Sequence, residues 1–252
     1  MITYSVSSDI KRALSAKGFL FGTAGMVLML AVASINAITA IQGVLGNGFH
    51  AELILSALTS DDVTLVLPIL CTLPFAAAFV DDIKSGFIKQ YLPRSGVSAY
   101  IKGKILASGL SGGLVLITGL FIAYGISALV FTPMEAALKP DETAQPYFAE
   151  ILTKALTLFL SGAFWSLTGF TVASMTMSRY MAYASPFVLY YVLIIMHERY
   201  FADFYVLYPK EWLAMSEPWV LQNLGVWIQL LILSAVISLL FGMTAKRRLG
   251  NV

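Results

Sequence analysis

Cysteine, histidine and charge are all scarce in this 252-residue chain, which has one Cys, two His and only 12% charged residues. A lone Cys71 excludes an internal disulfide framework and any thiolate metal cluster. His50 and His197 are too few for a histidine-built metal site, and the pair His197, Glu198 is assigned no chemistry. A soluble domain carries about a quarter of its residues charged. Half that fraction means that most of the surface faces something other than water. No dense basic stripe exists and the net charge is +2, which argues against nucleic acid as a partner. A phosphate-binding loop is also missing, because Gly103, Lys104 lacks both the upstream glycine and the downstream hydroxyl that cradle nucleotide phosphates. The chain is therefore expected to bind no cofactor and to catalyse no reaction of its own.

What is abundant is apolar: 58% of residues, with a mean hydropathy of +0.81. A helix crosses the roughly 30 Å hydrocarbon core with about 20 apolar residues. Six stretches qualify, at about 18–41, 63–80, 105–131, 155–177, 181–196 and 219–243, and none contains Lys, Arg, Asp, Glu or His. The expected fold is an all-α membrane protein of six transmembrane helices, a single transmembrane domain over 1–252. The first apolar run is too long for the core of a cleavable signal peptide and is read as a retained span. Pro68, Pro74 and Pro186 fall inside spans, where neighbouring helices or hydroxyls can recover the lost backbone bond.

Orientation follows from the basic residues in alternate loops. With the N-terminus inside, twelve of the sixteen Lys and Arg and three of the fourteen Asp and Glu lie on the inner side, leaving four bases and eleven acids outside. Both termini are then cytoplasmic. Ahead of the first span, Ile2, Val6, Ile10, Ala13 and Leu14 recur at helical spacing, which predicts an interfacial helix whose Lys11, Arg12 and Lys17 sit among anionic headgroups. Between spans two and three, Ile83, Phe87, Ile88, Tyr91 and Leu92 mark one short amphipathic cytoplasmic helix that Pro93 ends. A surface helix lying on lipid and one docking on another protein share this pattern.

Asp82, Gly86, the apolar run Phe87, Ile88 to Leu92, and the later Tyr100 and Lys104 resemble the cytoplasmic loop of permease subunits of type-2 ATP-binding-cassette transporters. The stretch SRYMAYASPFVLYYV, the span count, the interfacial helix and the length are similar to that family too. The chain departs from the usual pattern by carrying Asp82 and Phe87 where Glu and Thr are common. The resemblance implies a half-channel without a motor in a bacterial cytoplasmic membrane. ATP and Mg would be held by two copies of a separate ATPase subunit, with a second permease, identical or paralogous, completing the pathway. It further implies a short coupling helix on which Asp81, Asp82, Gly86, Phe87, Ile88, Tyr91, Leu92 and Arg94 contact the ATPase, with Arg179 and Tyr180 as a second contact. Cargo of such small exporters is an amphipathic peptide or similar hydrophobic molecule.

Asn36, Thr39, Gln222, Asn223 and Gln229 are candidate pathway-lining groups, although polar residues in spans more often satisfy one another. Small-residue pairs Gly18 to Gly22, Ser108 to Gly112 and Gly109 to Gly113 permit close helix packing, within the chain more readily than between chains. The aromatic segment after span five fits an interfacial belt. An ion-coupled secondary transporter or channel is the alternative function. It needs ionisable groups within the membrane, and the six apolar stretches contain none.

Overall fold

Long apolar segments have one way to satisfy their backbone away from water, which is to bond it internally as helix. The computed structural model describes residues 2–41, 43, 45–136 and 146–250, and its regular elements are helical apart from an isolated bridge between Leu45 and Glu135. Eleven α-helices are described: α1 Ile2–Leu14, α2 Lys17–Thr39, α3 Phe49–Leu58, α4 Asp61–Leu70, α5 Ala78–Lys84, α6 Phe87–Ser95, α7 Val97–Phe131, α8 Tyr147–Thr176, α9 Arg179–Arg199, α10 Glu211–Ala214 and α11 Asn223–Leu249. Five of them (α2, α7, α8, α9 and α11) are long and apolar enough to cross a membrane, and α3 with α4 makes a sixth candidate bent by 69°. This is consistent with a multi-pass membrane protein.

The helix at the centre is α8. In its most apolar window 72% of residues are buried, against 17–33% in the other four long helices. It packs on α7, α11 and α9, while α2 lies on the far side of α7. Small residues set the α7–α8 distance. A Cβ on Gly112 would stand 2.4 Å from the Ser166 Cβ, and one on Gly162 would stand 2.7 Å from the Gly112 carbonyl oxygen. Ser108 and Ser166 bond across the same seam at 3.0 Å. Gly18 similarly admits the Leu73 carbonyl, 2.0 Å from where its Cβ would be. The small-residue pairs noted in the sequence thus serve packing inside the chain. Outward, Leu20, Phe21, Leu28, Leu129 and Leu239 are each at least 63% exposed, the surface expected of helices solvated by hydrocarbon.

Two sequence expectations change. Residues 63–80 do not form one span: α4 stops at Leu70, turns occupy 71–77, and α5 starts at Ala78. Pro74 lacks an amide hydrogen and its ring crowds the carbonyl four residues back, at Leu70, which breaks the ladder there. The irregular stretch is tolerated because Cys71, Thr72, Phe75 and Ala76 are buried. The apolar length is recovered upstream, where 49–58, expected as a loop, forms α3; Ser60 caps α4 by accepting from the Val63 amide at 3.4 Å. Secondly, α7 and α8 begin well before the apolar stretches at 105 and 155, so Lys104 and Lys154 lie inside helices and are buried. A hydropathy boundary stops at a lysine, whereas a helix ladder does not.

Candidate functional site

The segment from Ala78 to Gly96 gathers most of the residues singled out in the sequence, and its local geometry is set by two glycines. Gly86 has φ +74°, a left-handed conformation that separates α5 from α6, and Gly96, at φ +76°, separates α6 from α7. A Cβ at Gly86 would meet nothing within 4 Å, so this glycine is required for its backbone angle rather than for space within the chain. Ile83 therefore belongs to α5 and Phe87 to α6, not to one continuous helix. Pro93 does not end α6, which runs to Ser95 and closes with the Gly96 amide on the Leu92 carbonyl at 2.9 Å.

The faces of α6 differ. Ile88 is 2% exposed and packs with Phe79, Tyr100 and Ile101, and the half-buried Leu92 lies against the same cluster. Phe87 is 43% exposed. The side chains of Tyr91 and Arg94 lie outside the described residues. An outward contact through Ile88 is corrected by its burial. The same holds for Asp82, which is 2% exposed and turned into the chain.

Asp82 sits at the centre of a buried charged junction. Its Oδ1 accepts from Arg12 Nη1 at 2.6 Å, and its Oδ2 pairs with Lys104 Nζ at 2.7 Å and accepts from the Tyr100 hydroxyl at 3.0 Å. Lys104, 0% exposed, also donates to Asp9 Oδ1 at 2.7 Å. Its ammonium lies 5.0 Å from the Phe75 ring centroid and 5.2 Å from that of Tyr100. Two acids and two bases make the set neutral, the condition under which buried charge is tolerated. Burial pushes Arg12 down, but the hydrogen bond and charge of Asp82, with Asp9 and Asp81, outweigh it and hold the guanidinium above its ordinary pKa. Asp81 extends the junction by accepting from Arg179 Nε at the start of α9. In this way charge adds to apolar packing in tying α5 to α1 and α7, and ties it to α9, and a cavity of about 190 Å³ opens beside the ties, lined in part by Arg12, Pro74, Asp81 and Tyr183.

The remaining candidates are dispersed. Lys11 and Lys17 are exposed as expected of an interfacial flank, and Tyr180 is 85% exposed. Asn36 and Thr39 are exposed at the end of α2, Thr39 donating to the Asn36 carbonyl at 3.1 Å. Gln222 is exposed ahead of α11; Gln229 donates to the Val206 carbonyl. The Asn223 Oδ1 and Gln229 Oε1 atoms are buried without a partner among the described residues. Because α2 packs on α7, α4 and α3 while α11 packs chiefly on α8, these residues do not share one lining.

At the end opposite the junction, Glu135 caps α3. Its Oε1 accepts from the His50 amide at 2.8 Å and pairs with His50 Nδ1 at 2.7 Å, and its Oε2 accepts from the Gly48 amide at 3.0 Å. Burial raises the Glu135 carboxyl, but these donors outweigh it and hold its pKa below the ordinary value. Lys210 reaches Asp61 at 2.7 Å and ties the segment before α10 to α4; burial lowers its pKa, and Asp61 more than offsets that.

Sequence reasoning named Asp82, Arg12 and Lys104 separately and missed that they meet. It counted Asp9 only as an inner-side charge. The available signal was the spacing of Asp9 and Arg12, three residues apart and so on one face of α1, where opposite charges can act together. The arrangement holds no nucleophile with a base, and no metal-binding group of His, Cys, Asp or Glu occurs among the described residues. What it can do is mechanical: it joins four elements into a unit. In comparisons with known proteins, no protein-family model matches the chain and no curated protein matches it.

Proposed function

We propose that the chain is the membrane-spanning subunit of an ATP-driven exporter of the type-2 ATP-binding-cassette class, working with a second permease and two copies of a separate ATPase subunit. ATP and Mg belong to that partner, and the cargo is an amphipathic peptide or similar hydrophobic molecule. In this reading the junction end faces the cytoplasm of a bacterial cell, both termini lie there, and α3 with α4 forms the sixth span. The observation that carries the reading is the attachment of α6. It is a short amphipathic helix bracketed by glycines of positive φ, seated through Ile88 and presenting Phe87, next to a neutral ion cluster that ties α5 to α1 and α7. A push on α6 would reach the long helices through packed and charge-paired contacts rather than dissipate in a loop.

Purification of the tagged chain from its native membrane in mild detergent tests this. A stoichiometric partner with a phosphate-binding loop is the expected result, and Phe87→Asp should reduce its recovery at least tenfold while leaving insertion unchanged. Recovery of the chain alone, or an unaffected Phe87→Asp complex, would overturn the proposal. One observation favours an ion-coupled transporter instead: Lys104 and Lys154 lie buried within α7 and α8. That reading requires ion-dependent transport by the chain alone in proteoliposomes.

A further inference from the structure

Between the last turns of α8 and α11 lies a groove of about 460 Å³, lined by Met175, Leu240, Met243, Thr244, Arg247 and Arg248. Its floor is apolar and open, with Met175 48% and Met243 55% exposed. Two guanidinium groups stand at its mouth. Arg248 donates to the Met175 carbonyl, one of the last carbonyls of α8 and so without an intrahelical partner. A guanidinium has five donor hydrogens, and that contact uses one of them. Arg247 is exposed and forms no ion pair with a described residue, and Lys246 precedes it in the same turn.

From this geometry we infer that the groove binds an anionic diacyl phospholipid. The phosphate would lie between Arg247 and Arg248, and an acyl chain would run over the floor along α11. Charge complementarity selects the headgroup, because planar guanidinium groups match phosphate oxygens in paired hydrogen bonds and no acid lines this mouth among the described residues. The continuation of the floor selects a lipid over a soluble anion. Ile232, Val236, Leu239 and Met243 recur four, three and four residues apart, so they form one stripe, and each is at least 48% exposed. That stripe is roughly 16 Å long at about 1.5 Å per residue, a length suited to an acyl chain. The inference needs only that the chain resides in a membrane and is independent of any ATPase.

The full-length protein in mild detergent, examined by native mass spectrometry after addition of phosphatidylglycerol or of phosphatidylcholine with the same acyl chains, provides the test. The wild type should retain phosphatidylglycerol in preference to phosphatidylcholine. Arg247→Gln should bind it about fivefold more weakly, the scale of one basic residue at a lipid surface, without a change in melting temperature. Arg247→Gln with Arg248→Gln should lose tenfold or more, and Arg199→Gln, an exposed base at the far end of α9 from the groove, should behave as wild type. Glycerol phosphate at millimolar concentration should not displace the lipid. Equal retention of the two lipids, wild-type binding by Arg247→Gln, an equal loss in Arg199→Gln, or displacement by glycerol phosphate would each overturn the assignment. Because Arg247 is exposed and unpaired with described residues, its variant decides the question even if loss of the Arg248 contact unsettles the helix end.

Discussion

Lys104 is the residue whose replacement should cost most. Its ammonium lies 2.7 Å from both Asp9 and Asp82 and its side chain is 0% exposed, so Lys104→Met leaves two largely buried carboxylates with the half-exposed Arg12 as their one remaining cation among the described residues. Removing one member of a buried ion pair typically costs about 3–5 kcal/mol. The variant should therefore melt well below wild type in detergent. Combining it with Asp82→Asn should cost less than the two single losses together, and strict additivity would show that the pair is not coupled. Glu135 makes a pH-dependent contribution of a defined sign. Its folded pKa is below the ordinary value, so the stabilisation is present above the ordinary carboxylate pKa, about 4.3, and is lost as pH falls through the lower, folded value. Melting temperatures recorded between pH 6 and pH 3 should fall less in Glu135→Gln than in wild type, and parallel curves would remove Glu135 from the acid response.

Helix seams and joints respond to substitutions that the residues alone would not rank. Gly112, Gly125 and Gly242 all lie within long apolar helices, yet a Cβ would collide with α8 at Gly112 and would meet nothing within 4 Å at Gly125 or Gly242. Gly242→Ala should be neutral or stabilising, because glycine costs a helix interior about 1 kcal/mol relative to alanine. Gly112→Val should destabilise by about 1–3 kcal/mol through forced separation of α7 and α8. Gly86→Ala belongs to a third class. There is room for the methyl group, but the left-handed backbone costs an L-residue about 1–2 kcal/mol, so the variant should loosen the α5–α6 joint and leave the α7–α8 seam intact. Thermal unfolding of the three variants side by side should give that order, with Gly112→Val lowest, and a Gly242→Ala variant as unstable as Gly112→Val would contradict the seam. Existence of the five long helices was legible from hydropathy, with ends displaced by up to eight residues, because uninterrupted apolar length has few other outcomes. The break at 71–77 was less legible. Pro68 and Pro74 were both visible, but Pro68 is accommodated inside α4 while the ladder fails ahead of Pro74. Which proline interrupts a helix depends on what packs against the freed carbonyls, here Gly18 against Leu73.

For the molecule as a whole, the charge pattern divides into two ends. Arg12, Asp82, Lys104, Arg179 and Arg248 gather at one, and His50, Glu135, Asp61 and Lys210 at the other. In a cysteine-free background, made with Cys71→Ser, single cysteines at Phe87 and at Lys210 should react with a membrane-impermeant maleimide from opposite sides of sealed vesicles. Labelling of both from one side would overturn the orientation. The sequence by itself determined that this chain holds several helices long and apolar enough to cross a membrane and roughly where they run, because both depend on composition and local spacing summed along the chain. Only the tertiary structure decided that α8 is the centre, that Asp9, Arg12, Asp82 and Lys104 form one neutral cluster, and that Ile88 is turned inward while Phe87 is turned out. The physical reason is that burial of a charge is settled by partners up to 95 residues away in the chain, and no local pattern records which distant charge arrives to neutralise it.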